Sequence, residues 1–448
     1  MLTAEQNERL TQTSAGTPMG NLLRQYWHPI AATAQLAKNP VMSVRVLGED
    51  LTLFRARNGT LGLVGKRCAH RLVDLKYGFP SPHHDDAIVC PYHGWAYSRT
   101  GKCIDQPMEP EGSTFKDKVQ IDGYHARELA GMIFAYLGPS PVPELPAWEP
   151  MVMADTLRYI EYGTVPCNWV QLQENSPDRK HTQWLHGHFS KWTLNRRGVG
   201  EDDPQYQSTM RFVDFPTDEF FMEPFEYGHI RRNTIKGSDK NEGSYTVGTP
   251  LIFPNMNITA SGARFTMIWR TPVDDVTTMS WFLYGVYPGE GVEIPLQKAI
   301  ETVEIPTYDK DGNLNDHLTA VQDHIACFAQ GAILDRTKER LGATDHDIIV
   351  WRKTVMEQLA LLEAGGTPMN IFHDPEMGKF IKVPLICKDD PNRFGAWSLT
   401  ADRKYQKRSA TVNYSVPELP IVDEMEAAAE KGAAAWTKRR LAEYEAGE

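Results

Sequence analysis

Two short segments decide the fold of this chain, Cys68-Ala-His70 and Cys90-Pro-Tyr-His93. Each segment supplies one thiolate and one imidazole. Two cysteines and two histidines can hold a tetrahedral zinc ion, or a [2Fe–2S] cluster in which the histidines ligate one of the two irons. Zinc fingers usually group cysteine with cysteine and histidine with histidine, whereas each segment here contains one of each. The mixed pattern therefore favours the iron–sulfur cluster over structural zinc.

The sequence around these segments consists of short β-type runs separated by glycine, Asn-Gly or proline turns. This pattern predicts a small all-β, antiparallel domain over residues 41–142, with both ligand segments in loops between strands. A cluster with two cysteine and two histidine ligands is a Rieske centre. Residues 1–40 are predicted as a helical lead-in, and the proline-rich residues 139–150 as a linker.

The second half of the chain, residues 143–422, combines strand-like and helical patterns. Strand-like runs follow one another over residues 208–287, and helical patterns cover three segments, 165–192, 318–334 and 347–364. These patterns predict a catalytic domain in which helices pack on a sheet. The predicted fold class is therefore α+β, with an all-β redox domain joined to a sheet-plus-helix domain. Residues 423–448, rich in alanine and charged side chains, are predicted as a helical tail.

The composition argues against several classes of protein. With 448 residues the chain can form two or three domains, and its formal net charge of −11 argues against nucleic acid or an anionic membrane as a partner. No run of about 18 apolar residues that could span a bilayer is present, and residues 1–20 do not resemble a signal peptide. The six cysteines are scattered, which predicts a cytoplasmic protein rather than a disulfide-stabilised secreted one.

A second group of metal-binding side chains lies near the middle of the chain. Ser176-Pro177 predicts the start of a helix, which places Asp178 in its first turn and His181 one turn further on. His186 follows at i+5, about 140° around an ideal helix from His181, so the two rings converge only if the helix carries a local bulge. Two neutral histidines and one carboxylate form the facial triad of non-haem Fe(II) oxygenases.

The third ligand of this triad is predicted to be Asp323. One side of the helical segment 318–334 is an apolar stripe, and Asp323 is the lone carboxylate on the other side. A buried carboxylate needs a partner or a metal. A structural role remains the competing interpretation for the histidine pair and for Asp323. Three further acidic residues have basic neighbours that offer ordinary surface pairing: Asp335, Glu339 and Asp345.

These motifs resemble those of the Rieske non-haem iron ring-hydroxylating oxygenases. The segments Cys68-Ala-His70-Arg71 and Cys90-Pro-Tyr-His93-Gly94-Trp95 are similar to the family's cluster motif. The residues similar to its mononuclear-iron motif are Glu174-Asn175, Asp178, His181 and His186. Gln322-Asp323 and the residues after it resemble the carboxylate-ligand region of the phthalate dioxygenase and dehydrodivanillate O-demethylase branch. The resemblance covers most of the chain.

The resemblance implies a Rieske [2Fe–2S] domain joined to a helix-grip catalytic domain in an oxygenase component. It implies that the cluster is held by Cys68, His70, Cys90 and His93. It implies that a mononuclear Fe(II) is held by His181, His186 and Asp323. A homotrimer or hexamer is also implied, in which Asp178 bridges His93 of one subunit and His181 of the next, with Asn175 as a second catalytic residue.

The resemblance further implies O₂ as co-substrate and electrons from an NAD(P)H-dependent reductase, with or without a ferredoxin. The chain itself lacks a Gly-rich dinucleotide-binding fingerprint. The implied substrate is a small aromatic acid. We expect O-demethylation or hydroxylation of a methoxylated lignin-derived acid, with cis-dihydrodiol formation from a phthalate-type acid as the alternative. Two non-enzymatic alternatives are a Rieske electron-transfer protein and a zinc-stabilised binding protein.

The strands between residues 210 and 287 are expected to line the substrate pocket. Four arginines in this region are candidate carboxylate clamps: Arg231, Arg232, Arg264 and Arg270. Aromatic and apolar residues of the same region are candidate lining residues: Phe220, Phe221, Phe225, Tyr227, Phe253, Met256 and Phe265. For any one of these arginines, a surface or ion-pair role is the competing interpretation.

Overall fold

A computed structural model describes residues 2–214, 216–237, 240–394 and 419–446 of the chain. Within these ranges the backbone forms three β-sheets with helices packed around them. Two of the sheets lie in the N-terminal part of the chain, and the largest lies in the C-terminal part. The α+β class predicted from the sequence is therefore confirmed.

The N-terminal part is built from ten short strands. They are β1 Trp27–Ala32, β2 Val41–Val46, β3 Glu49–Arg55, β4 Leu61–Gly65, β5 Phe79–Pro80, β6 Ala87–Val89, β7 Ala96–Ser98, β8 Cys103–Asp105, β9 Gly123–Leu129 and β10 Met132–Tyr136. Six of them form an antiparallel sheet of order β1-β10-β9-β4-β3-β2, and four form a second antiparallel sheet of order β5-β6-β7-β8.

Close packing between β3 and β4 requires a glycine at position 62. Gly62 pairs with Phe54 across the ladder, and a Cβ atom at position 62 would lie 2.2 Å from the Phe54 ring. The ring is buried in the same core cluster as Cys68 and Cys90. The packing of this strand pair therefore supports the loops that carry the two cysteines.

The C-terminal sheet has eight strands. They are β11 Leu157–Val165, β12 Thr217–Phe225, β13 Gly228–Ile235, β14 Thr249–Ile252, β15 Met256–Ser261, β16 Arg264–Asp274, β17 Thr277–Val286 and β18 Glu301–Glu304. The strand order is β12-β13-β14-β15-β16-β17-β11-β18. The β11–β18 pair is parallel and the other neighbours are antiparallel.

Helices pack around these sheets. They are α1 Ala4–Thr11, α2 Pro18–Leu23, α3 Thr33–Lys38, α4 Glu149–Val152, α5 Trp169–Asn175, a π-helix Thr182–Phe189, α6 Ser190–Arg196, α7 Pro204–Asp214, α8 Gly243–Thr246, α9 Thr319–Phe328, α10 His346–Glu363, α11 Ile386–Asp389 and α12 Pro420–Ala446. The helices predicted over residues 318–334, 347–364 and 423–448 correspond to α9, α10 and α12. Among the described helices, none combines the length and apolar character that a membrane span requires.

Three sequence predictions are wrong in detail. Residues 27–32, predicted within a helical lead-in, form β1, because their backbone pairs with β10. Residues 204–214 overlap the predicted strand region but form α7. Ser176 ends α5 instead of starting a helix, because Pro177 has no N–H with which to continue it. The domain limits expected after residues 40, 142 and 422 remain predictions.

The N-terminal and C-terminal parts are joined by backbone hydrogen bonds. The turn after β2 donates the N–H groups of Leu47 and Gly48 to the carbonyls of Pro272 and Val273 in β16, each at 2.9 Å. Gly48 adopts a φ of 80°, a left-handed conformation that glycine reaches without strain. Phe134 of β10 also meets Trp269 of β16 edge to face, with ring centroids 6.1 Å apart. Both parts therefore share one continuous contact surface.

We predict that Gly62→Ala destabilises the protein by about 1–3 kcal/mol, because the new methyl group would force the Phe54 ring out of its packed position. Urea unfolding measures the change. Gly200→Ala is the matched control, since no atom lies within 4 Å of the Cβ position at Gly200. Equal unfolding midpoints for the two variants would contradict the packing argument.

Candidate functional site

The two cysteine–histidine segments lie side by side in loops after β4 and β6. Both thiols are buried, with Cys68 1% and Cys90 2% exposed, whereas His70 is exposed and His93 half-buried. The two imidazole rings are 4.5 Å apart between centroids. Burial, together with the neighbouring Cys68 thiol, raises the pKa of Cys90. The structure therefore brings the four predicted cluster ligands together.

This arrangement fits a Rieske cluster. His93 Nδ1 is buried and has no hydrogen-bond partner among the described residues, so its lone pair is available for an iron. The thiols point inward and the imidazoles lie nearer the surface. A cluster here would keep its thiolate-bound iron in the core and its histidine-bound iron toward solvent.

Tyr97 was missed by the sequence analysis, although it supports the cluster site. Its hydroxyl oxygen lies 3.2 Å from Cys68 Sγ and accepts the backbone N–H of Ala69 at 3.0 Å. Since a backbone N–H can only donate, the phenol keeps its own proton free for the sulfur. Trp95 adds a second support, because it stacks on His70 with centroids 4.6 Å apart and an angle of 8°.

His181, His186 and Asp323 form a compact triad. One potential ligand atom from each residue lies within 4.8 Å of those of the other two. Asp323 Oδ1 is 3.2 Å from His186 Nε2 and 3.6 Å from His181 Nε2. Two imidazole nitrogens and one carboxylate oxygen facing a common point are the donor set of a mononuclear Fe(II) site. The residues present therefore fit that metal.

The π-helix explains how the two histidines converge. It begins after His181 and contains His186, and its i→i+5 hydrogen bonding widens each turn. The wider turn brings residues five apart onto the same side of the helix. The local bulge that the sequence analysis required is therefore present as a full π-helix.

Charge at the triad favours an ionised carboxylate. Burial by itself raises the pKa of Asp323, but the charges of His186, His181 and Arg270 hold it well below its usual range. Burial lowers the pKa of His186, and the neighbouring Asp323 outweighs this effect and raises it. A bound metal cation would replace the histidine protons as the positive charge that stabilises the ionised Asp323 carboxylate.

Asn175 and Asp178 both lie beside the triad. Asn175 Nδ2 donates to Asp323 Oδ1 at 3.2 Å. Asp178 Oδ1 accepts the backbone N–H groups of Lys180 and His181, at 2.9 Å and 3.2 Å. Asp178 Oδ2 is 3.6 Å from His181 Nδ1, which is too long for a hydrogen bond. Asp178 therefore fixes the backbone at His181 and keeps one oxygen close to its ring.

The sequence analysis named Gln322 beside Asp323 but missed its contact with His186. Its side chain is fully buried, and its Oε1 lies 2.9 Å from His186 Nδ1. Its position next to Asp323 in the sequence gives no hint of this contact, because His186 is 136 residues away.

A buried ion network anchors the end of α5. Glu174 pairs with Arg336 at 2.7 Å and with Arg352 at 2.6 Å. Burial raises the pKa of Glu174, but these two guanidinium groups outweigh it and lower the pKa. Because Asn175 follows directly, the network positions the residue that bonds Asp323.

The alternative carboxylate ligands are engaged elsewhere. Glu339 pairs with Arg352, Asp335 pairs with Lys338 at 2.9 Å, and Asp345 accepts the N–H of Gly342 at 2.7 Å.

The five residues predicted to contact the substrate lie in different surroundings. Arg231 donates to the backbone carbonyls of Ser176, Thr249 and Ile258. Arg232 donates to Glu223 and to two carbonyls near α8. Phe253 packs against Tyr26 with ring centroids 5.9 Å apart and lines a small cavity of about 40 Å³ beside β1. These contacts are all made within the protein, and the role of the three residues as substrate contacts remains a prediction.

Arg270 lies close to the triad, whereas Arg264 contacts the C-terminal helix α12. Arg270 is buried, its charge lowers the pKa of Asp323, and its guanidinium sits 5.3 Å from the centre of the Phe282 ring. Arg264 donates to Glu426 at 2.7 Å, while its Nε has no partner among the described residues.

Arg211 of α7 is a further basic residue that the sequence analysis missed, because its segment was expected to be a strand. Burial, with the repulsion of Arg264, lowers the pKa of Arg211 to about 10. Its Nε has no partner among the described residues. The next residue, Phe212, lies 5.8 Å from His186 between ring centroids, and the Arg211 charge acts on that histidine. Besides Arg270, Arg211 is therefore a second basic side chain whose charge acts on the triad.

Comparison with known proteins identifies the family of the chain. Residues 26–121 match the Rieske [2Fe-2S] domain. The chain is 37% identical over 395 residues to the 5,5'-dehydrodivanillate O-demethylase oxygenase subunit of Sphingobium sp. (strain NBRC 103272 / SYK-6), covering 87% of this chain and 88% of that one. The chain therefore belongs to the Rieske non-haem iron oxygenases, as an oxygenase component with a Rieske cluster and a mononuclear iron. The two non-enzymatic alternatives are wrong.

Other relatives extend this similarity. The chain is 29% identical over 398 residues to the phthalate 4,5-dioxygenase oxygenase subunit of Pseudomonas putida, covering 82% of this chain and 88% of that one. Among solved structures, NdmA of Pseudomonas putida CBB5 has the same fold, with a TM-score of 0.53 at 19% identity over 77% of this chain and 92% of that one.

We predict that Tyr97→Phe lowers the reduction potential of the cluster on the order of 50 mV, because the hydrogen bond to Cys68 Sγ stabilises the more negative, reduced state. A redox titration followed by the visible spectrum measures the potential. Tyr77→Phe, which changes an exposed tyrosine of the same part, is the control. An unchanged potential in Tyr97→Phe would show that the phenol does not donate to the sulfur.

Proposed function

We propose that this oxygenase component acts on a small aromatic carboxylic acid, and that its reaction is O-demethylation or hydroxylation of a methoxylated acid. The observation that carries the proposal is a pair of basic side chains at the triad, Arg211 and the buried Arg270. The charge of Arg211 acts on His186 and that of Arg270 on Asp323, and the Nε atom of each has no partner among the described residues. A substrate carboxylate placed beside these guanidinium groups would accept charge-assisted hydrogen bonds. The O-demethylase name of the Sphingobium relative supports the type of reaction.

The proposed cofactor ligands follow from the two sites. Cys68, Cys90, His70 and His93 would hold the Rieske cluster, and His181, His186 and Asp323 the mononuclear iron. When bound, the iron supplies the site at which O₂ is activated with electrons from the cluster. The protein's own contribution is to position the substrate, with the carboxylate at the arginine pair and the reacting carbon toward the triad.

A second candidate function is dioxygenation of the ring. It is favoured by the names of other relatives, phthalate 4,5-dioxygenase and phenoxybenzoate dioxygenase subunit alpha. The same arginine pair would serve both reactions, because the charge of the substrate is shared. The product distinguishes them, since O-demethylation releases formaldehyde and dioxygenation leaves a cis-diol.

We further propose that electrons arrive from an NAD(P)H-dependent reductase, with or without a ferredoxin, in the cytoplasm. All six cysteines are unpaired, as a reducing compartment requires. We also propose a homotrimer or hexamer in which Asp178 connects His181 with His93 of a neighbouring subunit. The support is that Asp178 Oδ2 makes no hydrogen bond at 3.6 Å from His181 Nδ1, and that His93 lies at the edge of the cluster site.

The proposed substrate class is tested by supplying O₂, NAD(P)H and a compatible reductase with methoxylated benzoic acids, their methyl esters and phthalate. We expect formaldehyde from a methoxylated acid and poor turnover of its ester. Arg211→Gln should raise KM for the acid on the order of 10–100-fold, because a hydrogen-bonded charge contact is lost. Arg440→Gln, on the exposed side of α12, is the control. Equal turnover of acid and ester, unaffected by Arg211→Gln, would refute the anion site.

The inter-subunit role of Asp178 is tested by Asp178→Asn. Product formation should fall about 10–100-fold while the visible spectrum of the cluster and the iron content stay unchanged, because the carboxylate that links the two imidazoles is lost. Asp335→Asn, which alters an exposed carboxylate paired with Lys338, is the control. Full activity of Asp178→Asn with reductase and NAD(P)H would disprove the bridge.

A further inference from the structure

The amide of Gln322 has an orientation that its partners determine. The side chain is fully buried and makes three hydrogen bonds, each 2.9 Å long. One partner is the backbone carbonyl of Asp316, which can only accept a hydrogen bond. The group that faces Asp316 must therefore be the NH₂ of Gln322, and this same NH₂ also donates to Ser190 Oγ.

This orientation leaves Gln322 Oε1 facing His186 Nδ1. An amide oxygen can only accept, so Nδ1 of the imidazole must carry a proton. The lone pair of neutral His186 is then on Nε2, the nitrogen that lies 3.2 Å from Asp323 Oδ1 and faces the triad. One backbone carbonyl thus determines, through a single amide, which nitrogen of His186 can bind a metal.

We propose that Gln322 is a positioning residue that locks His186 in its metal-binding tautomer. The inference rests on the proposed triad of the mononuclear iron and deepens it. A histidine ligand whose second nitrogen donates to a fixed acceptor loses less freedom on metal binding and is a more basic ligand. His181 differs, because its Nδ1 has no hydrogen-bond partner among the described residues. The two histidines of the triad are therefore held in different ways.

The hydrogen bonds of Gln322 are themselves supported by helix α6. The Asp316 carboxylate pairs with Arg196 and, at 3.0 Å, with Arg197, both at the end of α6. Ser190, at the start of α6, holds the other donor of Gln322. Helix α6 therefore holds both acceptors of the Gln322 NH₂ group, because Ser190 belongs to the helix and Asp316 pairs with the arginines at its end. Gln322 connects α9, which carries Asp323, to the segment that carries His186.

The test measures metal affinity directly. Fe(II) is added anaerobically to protein whose mononuclear iron has been removed with a chelator while the cluster remains intact. Gln322→Met keeps the length of the side chain but removes the acceptor. It should weaken Fe(II) binding about 10–100-fold with an unchanged cluster spectrum. Wild-type affinity in Gln322→Met would overturn the proposal.

Two further variants separate hydrogen bonding from packing. Gln322→Glu keeps an acceptor toward His186, and in its protonated form its O–H can replace the N–H that faces the Asp316 carbonyl. It should therefore bind Fe(II) more tightly than Gln322→Met and close to the wild type. A loss of about 10-fold or more in Gln322→Glu would overturn the proposal, and this criterion stands if Gln322→Met does not fold. Ser190→Ala removes one of the two acceptors of the amide NH₂. It should weaken binding less than Gln322→Met, since the Asp316 carbonyl still sets the orientation.

These titrations use no aromatic substrate. Failure of the proposed function would appear as an absence of product with normal metal binding. Failure of the triad itself would appear as a wild type that takes up no iron beyond its cluster. The role of Gln322 is contradicted by a third result, which is equal Fe(II) affinity in the wild type and in Gln322→Met.

Discussion

The backbone of the π-helix is the constraint on which the metal site depends. In an α-helix, residues five apart point about 140° away from each other, and His181 and His186 would face different neighbours. The wider turn brings both rings within 3.6 Å of one oxygen of Asp323. Asn175, at the end of α5, bonds the same oxygen. The donor set is therefore assembled by backbone geometry from three elements, and side-chain contacts then refine it.

Most buried charged side chains around this site have partners, either groups of opposite charge or backbone carbonyls that accept their hydrogen bonds. Glu174 is matched by two arginines, and the guanidinium of Arg231 is saturated by backbone carbonyls. A buried charge without such partners is costly, so each exception is informative. Arg211 and Arg270 each keep an Nε donor without a partner among the described residues. The proposed substrate carboxylate would supply the compensation that the protein does not.

Local sequence patterns were predictable, whereas most contacts between residues far apart in the sequence were not. The cluster segments and the histidine pair are local patterns, and Asp323 stood out as the lone carboxylate on its side of a helix. Arg211 was missed because α7 was expected to be a strand. The contact of Gln322 with His186 was missed because the two residues lie 136 positions apart. The sequence also could not show that three backbone carbonyls accept hydrogen bonds from Arg231, which was named as a candidate substrate contact.

The hydrogen bonds from Leu47 and Gly48 to β16 bear on how electrons can travel. They attach the cluster-bearing part directly to the catalytic sheet, so the linker is not its only connection. A redox domain held in this way has little freedom to swing toward a distant iron. Electron delivery between proposed neighbouring subunits would then depend on assembly instead of tethered diffusion. Specific activity would consequently decline on dilution below the concentration at which the subunits separate, even though each chain stayed folded and fully loaded.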